Sequence, residues 1–201
     1  MSTLSQRQQV ISYVKTKSMV SPSDVESQGL PRAYLYQLAR DGVIEHVGRG
    51  VYQWPEMKPD IHSALAEVAK RVPNGVVSLL SALSFYELTS QNPFEVWMAL
   101  ETKSWKPKLD YPPTRFIFMS ENSIKAGVEI HEINGVEVKV FSPEKTVADC
   151  FKYRNKVGLD VALEALKEGL RRKLFSVDEL MRHAKTCRVS RVIQPYVESL
   201  A

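Results

Sequence analysis

Residues 39–54 read ARDGVIEHVGRGVYQW. Val43, Glu45 and Val47 alternate with Ile44 and His46, Gly48-Arg49-Gly50 interrupts the alternation, and Val51-Tyr52-Gln53-Trp54 follows. A period of two marks strands, and a glycine-flanked residue between two such runs marks the reversal that joins them. The stretch is therefore expected to be a two-stranded hairpin. Arg49 stands at its tip, between two residues whose missing side chains let the backbone approach a partner closely.

What precedes the hairpin decides what it belongs to. Val10, Ile11 and Val14 recur at helical spacing, which predicts an amphipathic helix over 4–17. Ser21-Pro22-Ser23-Asp24 starts a second, short helix that ends near Gly29: serine caps, proline suits the first helical position, and aspartate lies at the positive end of the helix dipole. Pro31 opens a third helix, and Asp41-Gly42 closes it. At 100° per residue Leu35, Leu38 and Ala39 share one side, with Tyr34 at its border, while Arg32, Ala33, Tyr36, Gln37 and Arg40 point the other way. Helix, short helix, helix and hairpin in this order make a winged helix-turn-helix, whose third helix lies in a major groove. Arg32, Tyr36, Gln37 and Arg40 are then the candidate DNA-binding residues, since arginine matches guanine and glutamine matches adenine at base edges. Arg49 is placed to enter a minor groove or meet a phosphate.

Pro55–Pro59 reads as a linker, dividing the chain into a DNA-binding domain over 1–57 and an α+β domain over 58–201. In the second part Asp60 is expected to cap a helix carrying Ile61, Leu65, Val68 and Ala69, and a further helix is expected over 79–88. Strands are expected over 94–100, 115–119, 128–133 and 136–141, the last two joined by the hairpin signal Asn134-Gly135. Ser142-Pro143-Glu144 repeats the cap-then-proline start, and helices over 159–173, 176–186 and 189–199 close the chain. The expected fold class is α+β: an N-terminal winged helix-turn-helix, then a larger domain with a mixed or antiparallel sheet and C-terminal helices.

Composition sets the outer limits. With 201 residues, 44% hydrophobic and 25% charged, the chain has the make-up of an ordinary globular protein of one large or two small domains. No apolar run reaches the length that spans a bilayer and the N-terminus lacks a hydrophobic targeting core, so the expected location is the cytoplasm, with no membrane partner. Cys150 and Cys187 show no metal-binding spacing and are expected to be buried free thiols. The net charge of +4 is unevenly placed: residues 1–57 hold six Lys and Arg against five Asp and Glu, residues 150–201 eleven against six. Affinity for a polyanion scales with the phosphates neutralised, so a near-neutral winged helix needs a partner copy or the basic C-terminal part. Candidates for secondary contacts there are Arg171, Arg172, Lys173, Lys185, Arg188 and Arg191.

Enzymatic constellations are mostly missing. The chain has no phosphate-cradling glycine loop, no HExxH and no GxSxG, and His46, His62, His131 and His183 are scattered, so no catalytic residue, metal or cofactor is expected. One alternative stays open. Glu137-Val138-Lys139 and Glu101-Thr102-Lys103 place an acid and a lysine on one side of a strand, as Mg²⁺-dependent nucleases do with a further aspartate, here Asp110. A third reading makes the basic helices a protein-docking module.

LYQLARDGVIEHVGRGVYQW, then SLLSALSFYELT, then SPEKTVADCFKYR at the head of a helical tail, together resemble the AbiEi family of abortive-infection antitoxins. The resemblance implies a type IV toxin–antitoxin system with a role in phage defence. Such a protein would repress its own operon by binding inverted repeats in promoter DNA, and would counter a nucleotidyltransferase toxin without a stable complex. Arg32, Tyr36, Gln37, Arg40 and Arg49 would then lie in the DNA-binding domain. Glu144, Lys145 and Asp149 would fall in the domain of antitoxicity, with Lys145 where the resemblance leads one to expect arginine.

Overall fold

A computed structural model of the protein describes residues 4–17, 19–55 and 62–200. Contacts divide the chain into two units, Met1–Pro73 with Glu132–Val138, and Asn74–His131 with Lys139–Ala201.

The first unit runs α1 (Gln6–Lys17), β1 (Met19–Val20), α2 (Pro22–Ser27), α3 (Arg32–Arg40), β2 (Glu45–Gly48), β3 (Val51–Gln53) and α4 (Ser63–Arg71). α2 starts as its sequence dictates: the Asp24 carboxylate accepts from the Ser21 backbone N–H at 2.6 Å and from the Ser21 hydroxyl at 2.7 Å. The same carboxylate pairs with Lys70 of α4. Burial on its own would raise the Asp24 carboxyl, but the bonds from Lys70 and Ser21 hold it below its ordinary value. α3 ends at Gly42, left-handed at φ +71, with Gly42 N–H donating to Ala39 O and Val43 N–H reaching back to Leu38 O at 2.9 Å. This double bond pattern satisfies the last carbonyls of the helix and turns the chain toward β2.

β2 and β3 form the expected hairpin, and a third strand joins it. β1 pairs antiparallel with β3 through Met19↔Gln53 and Val20↔Tyr52, giving the order β1-β3-β2. Two residues carry no periodicity, so this strand has no signature in the sequence. The core gathers Val10, Val14, Val20, Val25, Leu35, Leu38, Ile44 and Tyr52. Of the segment beyond the hairpin, Glu56–Pro59 of the expected linker and the expected cap Asp60 and Ile61 lie outside the described residues. α4 buries Leu65, Val68 and Ala69 as its pattern requires.

The second unit contains β4 (Val76–Val77), α5 (Leu79–Phe85), β5 (Val96–Glu101), β6 (Thr114–Met119), α6 (Glu121–Lys125), β7 (Val128–Ile133), β8 (Val136–Phe141), α7 (Pro143–Lys152), α8 (Arg154–Val157), α9 (Leu159–Arg171), α10 (Val177–Cys187) and α11 (Ser190–Glu198). The tip of the β7–β8 hairpin, Glu132–Val138, groups with the first unit. Asn134 and Gly135 at that tip have φ +51 and +71, the two positive angles that a tight Asn-Gly hairpin turn demands. The strands form one sheet in the order β6-β5-β4-β8-β7. It is mixed: β5 runs antiparallel to β4, whereas β5 with β6 and β4 with β8 run parallel. Leu79, Leu83, Trp97, Ile117, Phe141, Phe151, Leu166, Leu180 and Ile193 belong to its main core. Cys150 and Cys187 are buried free thiols.

α7 departs from an amphipathic surface helix, since eight of its residues are buried, among them Lys145 and Asp149. These two side chains pair with each other at zero exposure. Lys145 Nζ also stands 4.2 Å from the centre of the Phe141 ring, and Cys187 Sγ donates to Asp149 Oδ1 at 3.1 Å. Burial, then the charge of Asp149, pushes the Cys187 thiol up to about 12, so it stays protonated as this bond requires.

Two stability tests follow from these pairs. Lys145→Met leaves a buried carboxylate without its counter-charge and is expected to cost about 3–5 kcal/mol, whereas Lys145→Met with Asp149→Leu recovers most of the loss; thermal melting of both variants measures this. Asp24→Ala is expected to cost about 1–2 kcal/mol at neutral pH. Because the folded carboxyl is held low, its contribution is present above the unfolded value and disappears as acid protonates it. The gap in melting temperature between wild type and Asp24→Ala should therefore close as pH falls below the ordinary carboxylate range.

Candidate nucleic-acid interface

α3 presents the outer face that its periodicity predicts. Leu35 and Leu38 are fully buried, Tyr34 and Ala39 lie at the border, and Arg32, Ala33, Tyr36, Gln37 and Arg40 are exposed. Tyr36, 42% exposed, rests one edge near Tyr52 of β3, their rings 6.2 Å apart, and Tyr52 in turn lies 4.9 Å from the His46 ring on β2. The outer face of α3 and the hairpin are thus joined through aromatic contacts, which limits the orientations Tyr36 adopts.

The cations on this face differ in what holds them. Arg32 pairs with Glu26 at 3.4 Å across two exposed side chains, and Arg7 pairs with Asp41 at 3.1 Å. Exposed pairs are worth about 0–1 kcal/mol, so releasing Arg32 from Glu26 costs little. Arg40 and Arg49 enter no ion pair among the described residues. Arg49 sits exposed at the wing tip, beside Gly50 at φ +74.

Gly48 has a different reason for being glycine from the one the wing-tip reading supplies. A Cβ there would collide with Glu67 Oε1 and stand 3.3 Å from Arg71 Nη1. Glu67 and Arg71 form a nearly buried pair at 3.5 Å on α4, and burial foremost pushes the Glu67 carboxyl up against the opposing pull of Arg71. The wing therefore lies on an ion pair, a support without a signal in the local sequence. A bulge between His46 and Gly48 in the β2–β3 register accompanies this close approach.

In the second unit the basic candidates separate. Arg171 is held bidentately by Glu168 at 2.9 and 2.6 Å. Arg172 donates to the carbonyls of Tyr86 and Glu87 at 2.9 and 3.0 Å, and so fastens the end of α9 to the turn after α5. Lys173, just beyond the end of α9, adopts a left-handed φ of +55. Lys185, Arg188 and Arg191 are exposed and form no ion pair among the described residues. Glu144 pairs with His183 at 3.6 Å, while Lys145 and Asp149 are sealed in the core and reach no partner surface. Elsewhere in this unit Tyr86 donates to Glu129 at 2.8 Å and lies 3.2 Å from His131 Nε2, a polar cluster assembled from residues some 45 positions apart. Burial first, then Glu129, pushes the Tyr86 hydroxyl far up. Of the Glu-x-Lys positions, Glu137 is exposed beside buried Val138 on β8, and Asp110 is exposed between β5 and β6. Among the described residues no three His, Cys, Asp or Glu gather to hold a metal ion.

The order and packing of the first unit define a winged helix-turn-helix. Residues 8–55 match the family model described as a transcriptional regulator, AbiEi antitoxin, so over that span the chain resembles this family of regulators. A solved structure, the crystal structure of RV2827C protein from Mycobacterium tuberculosis, is similar with a TM-score of 0.60, covering 95% of this chain and 77% of that chain at 14% identity. At that identity the likeness is one of fold. No curated protein matches the chain in sequence. No helix among the described residues is long and apolar enough to cross a membrane.

Gly50→Ala forces a side chain into the left-handed region at the wing tip and is expected to cost about 1–2 kcal/mol, read as a lowered melting temperature.

Proposed function

We propose that this protein is the antitoxin of a type IV toxin–antitoxin system, that it autorepresses its operon by binding inverted repeats in promoter DNA, and that it opposes a nucleotidyltransferase toxin without forming a stable complex with it. Residues 1–57 act as the DNA-binding domain and 58–201 as the antitoxin domain. The observation that carries the DNA half is the outer face of α3 with the wing: Arg40 and Arg49 stand exposed, without an ion pair among the described residues, on elements that in a winged helix-turn-helix dock together on a duplex. The antitoxin half is supported by the family match over residues 8–55.

Gln37 and Arg40 read base edges in the major groove, Arg32 and Tyr36 position the helix on the backbone, and Arg49 reaches a phosphate or the minor groove. Two copies on an inverted repeat double the cations available, which offsets the near-neutral charge of one winged helix. Lys185, Arg188 and Arg191, exposed and without an ion pair among the described residues, are the secondary contacts for a polyanion.

A mobility-shift titration against the region upstream of the gene tests this reading. Arg40→Ala is expected to lose about 1–3 kcal/mol of binding with relaxed specificity, and Arg49→Ala to weaken all sequences and flatten the salt dependence. Equal binding by wild type and both variants would sink the interface. Co-expression with the neighbouring gene product tests the other half: the Arg40→Ala/Arg49→Ala protein should still restore growth, since neutralisation is assigned to the second domain.

A further inference from the structure

β5 and β6 run parallel, so the chain leaving Glu101 travels back along a six-residue strand, about 20 Å, before it re-enters the sheet at Thr114. It makes this passage without a helix. Both ends are fastened: the Thr102 N–H and hydroxyl each donate to Met119 O at 2.9 Å, Ser104 N–H donates to Glu101 O at 2.8 Å, and Val96 N–H donates to Pro113 O at 2.7 Å. Between the anchors the sequence KSWKPKLDY sets Lys103, Trp105, Lys106 and Lys108 in the open with Asp110 as the single acid.

Trp105 is 84% exposed, Tyr111 66%, and Phe94, at the strand end to which the connection returns, 83%. Among the described residues no ring or cation stacks on Trp105, and no ion pair takes up Lys103, Lys106 or Lys108. An indole left open to water between unspent ammonium groups on a tethered backbone is the combination that binds bases and phosphates together.

We infer that this connection binds single-stranded nucleic acid, with an unpaired base stacked on Trp105 and the phosphates drawn to Lys103, Lys106 and Lys108. A duplex keeps its base faces stacked inside, so only an unpaired strand offers a π-face to an indole. The track of about 20 Å suits a site of roughly four nucleotides. A membrane is the poorer partner, because charges every two or three residues leave no continuous apolar face to insert. The site lies wholly in the second unit and does not depend on the winged helix reading DNA.

The experiment uses the full-length protein carrying Arg40→Ala and Arg49→Ala, so that failure of the winged-helix reading leaves it unaffected. Fluorescein-labelled dT12 and U12 strands are titrated by anisotropy while tryptophan emission is followed. Binding to either strand, with quenched emission, is expected; Trp105→Ala should weaken it roughly tenfold or more, and Trp105→Phe should retain most of it. Replacing Lys103, Lys106 and Lys108 by Gln should lower affinity and flatten its salt dependence. Unchanged melting curves establish that the exposed substitutions leave the fold intact. No binding to either strand, equal binding by Trp105→Ala, equal competition by a 12-base-pair duplex, or an emission response to phosphatidylserine vesicles without one to the strands overturns the inference.

Discussion

Leu35 and Leu38 seat α3 on the core of the first unit, and the direction of every other side chain on that helix follows from them. Each fully buried leucine contributes about 1.5–3 kcal/mol, so rotating the helix to expose them would cost more than any surface contact returns. Once they point inward, helical geometry leaves Arg32, Tyr36, Gln37 and Arg40 outside, whatever those residues contact. The left-handed stop at Gly42 then turns the chain into β2 and sets the wing beside the helix. The fold of this unit and the outward face of α3 rest on one packing decision.

The second unit is organised around a buried charge. α7 is enclosed by its neighbours, and two ionic groups in such surroundings survive only by satisfying each other. Lys145 supplies a point charge to Asp149 Oδ2, which leaves Oδ1 for the Cys187 thiol. An arginine fork would engage both carboxylate oxygens and leave that thiol without its acceptor. Lysine, cysteine and aspartate are therefore one mutually dependent arrangement, and its sealed position assigns Lys145 and Asp149 to the architecture of the domain. Of Glu144, Lys145 and Asp149, Glu144, paired with His183, retains partial access to solvent.

Elements long enough to show a period are legible in the sequence. α3, the wing, the Asn134-Gly135 turn and the C-terminal helices each announce themselves within a dozen residues, through spacing, caps and turn chemistry. β1 and β4, two residues each, and the short helices α6 and α8 carry no period and leave no signature in the sequence. The basic tail shows a second kind of gap. Composition counts Arg171, Arg172, Lys173, Lys185, Arg188 and Arg191 alike, yet Arg171 is taken up by Glu168 of its own helix and Arg172 ties the end of α9 to the turn after α5.

By itself, the sequence determined the order of elements in the winged helix, the outward face of α3 and the exposure of Arg49, since these depend on residues near one another in the chain. Tertiary structure alone decided that Gly48 yields space to Glu67, that Lys145 and Asp149 are sealed together against Cys187, and that Trp105 is left in water. Burial and ion pairing are set by groups brought together from distant parts of the chain, and periodicity says nothing about which of them meet.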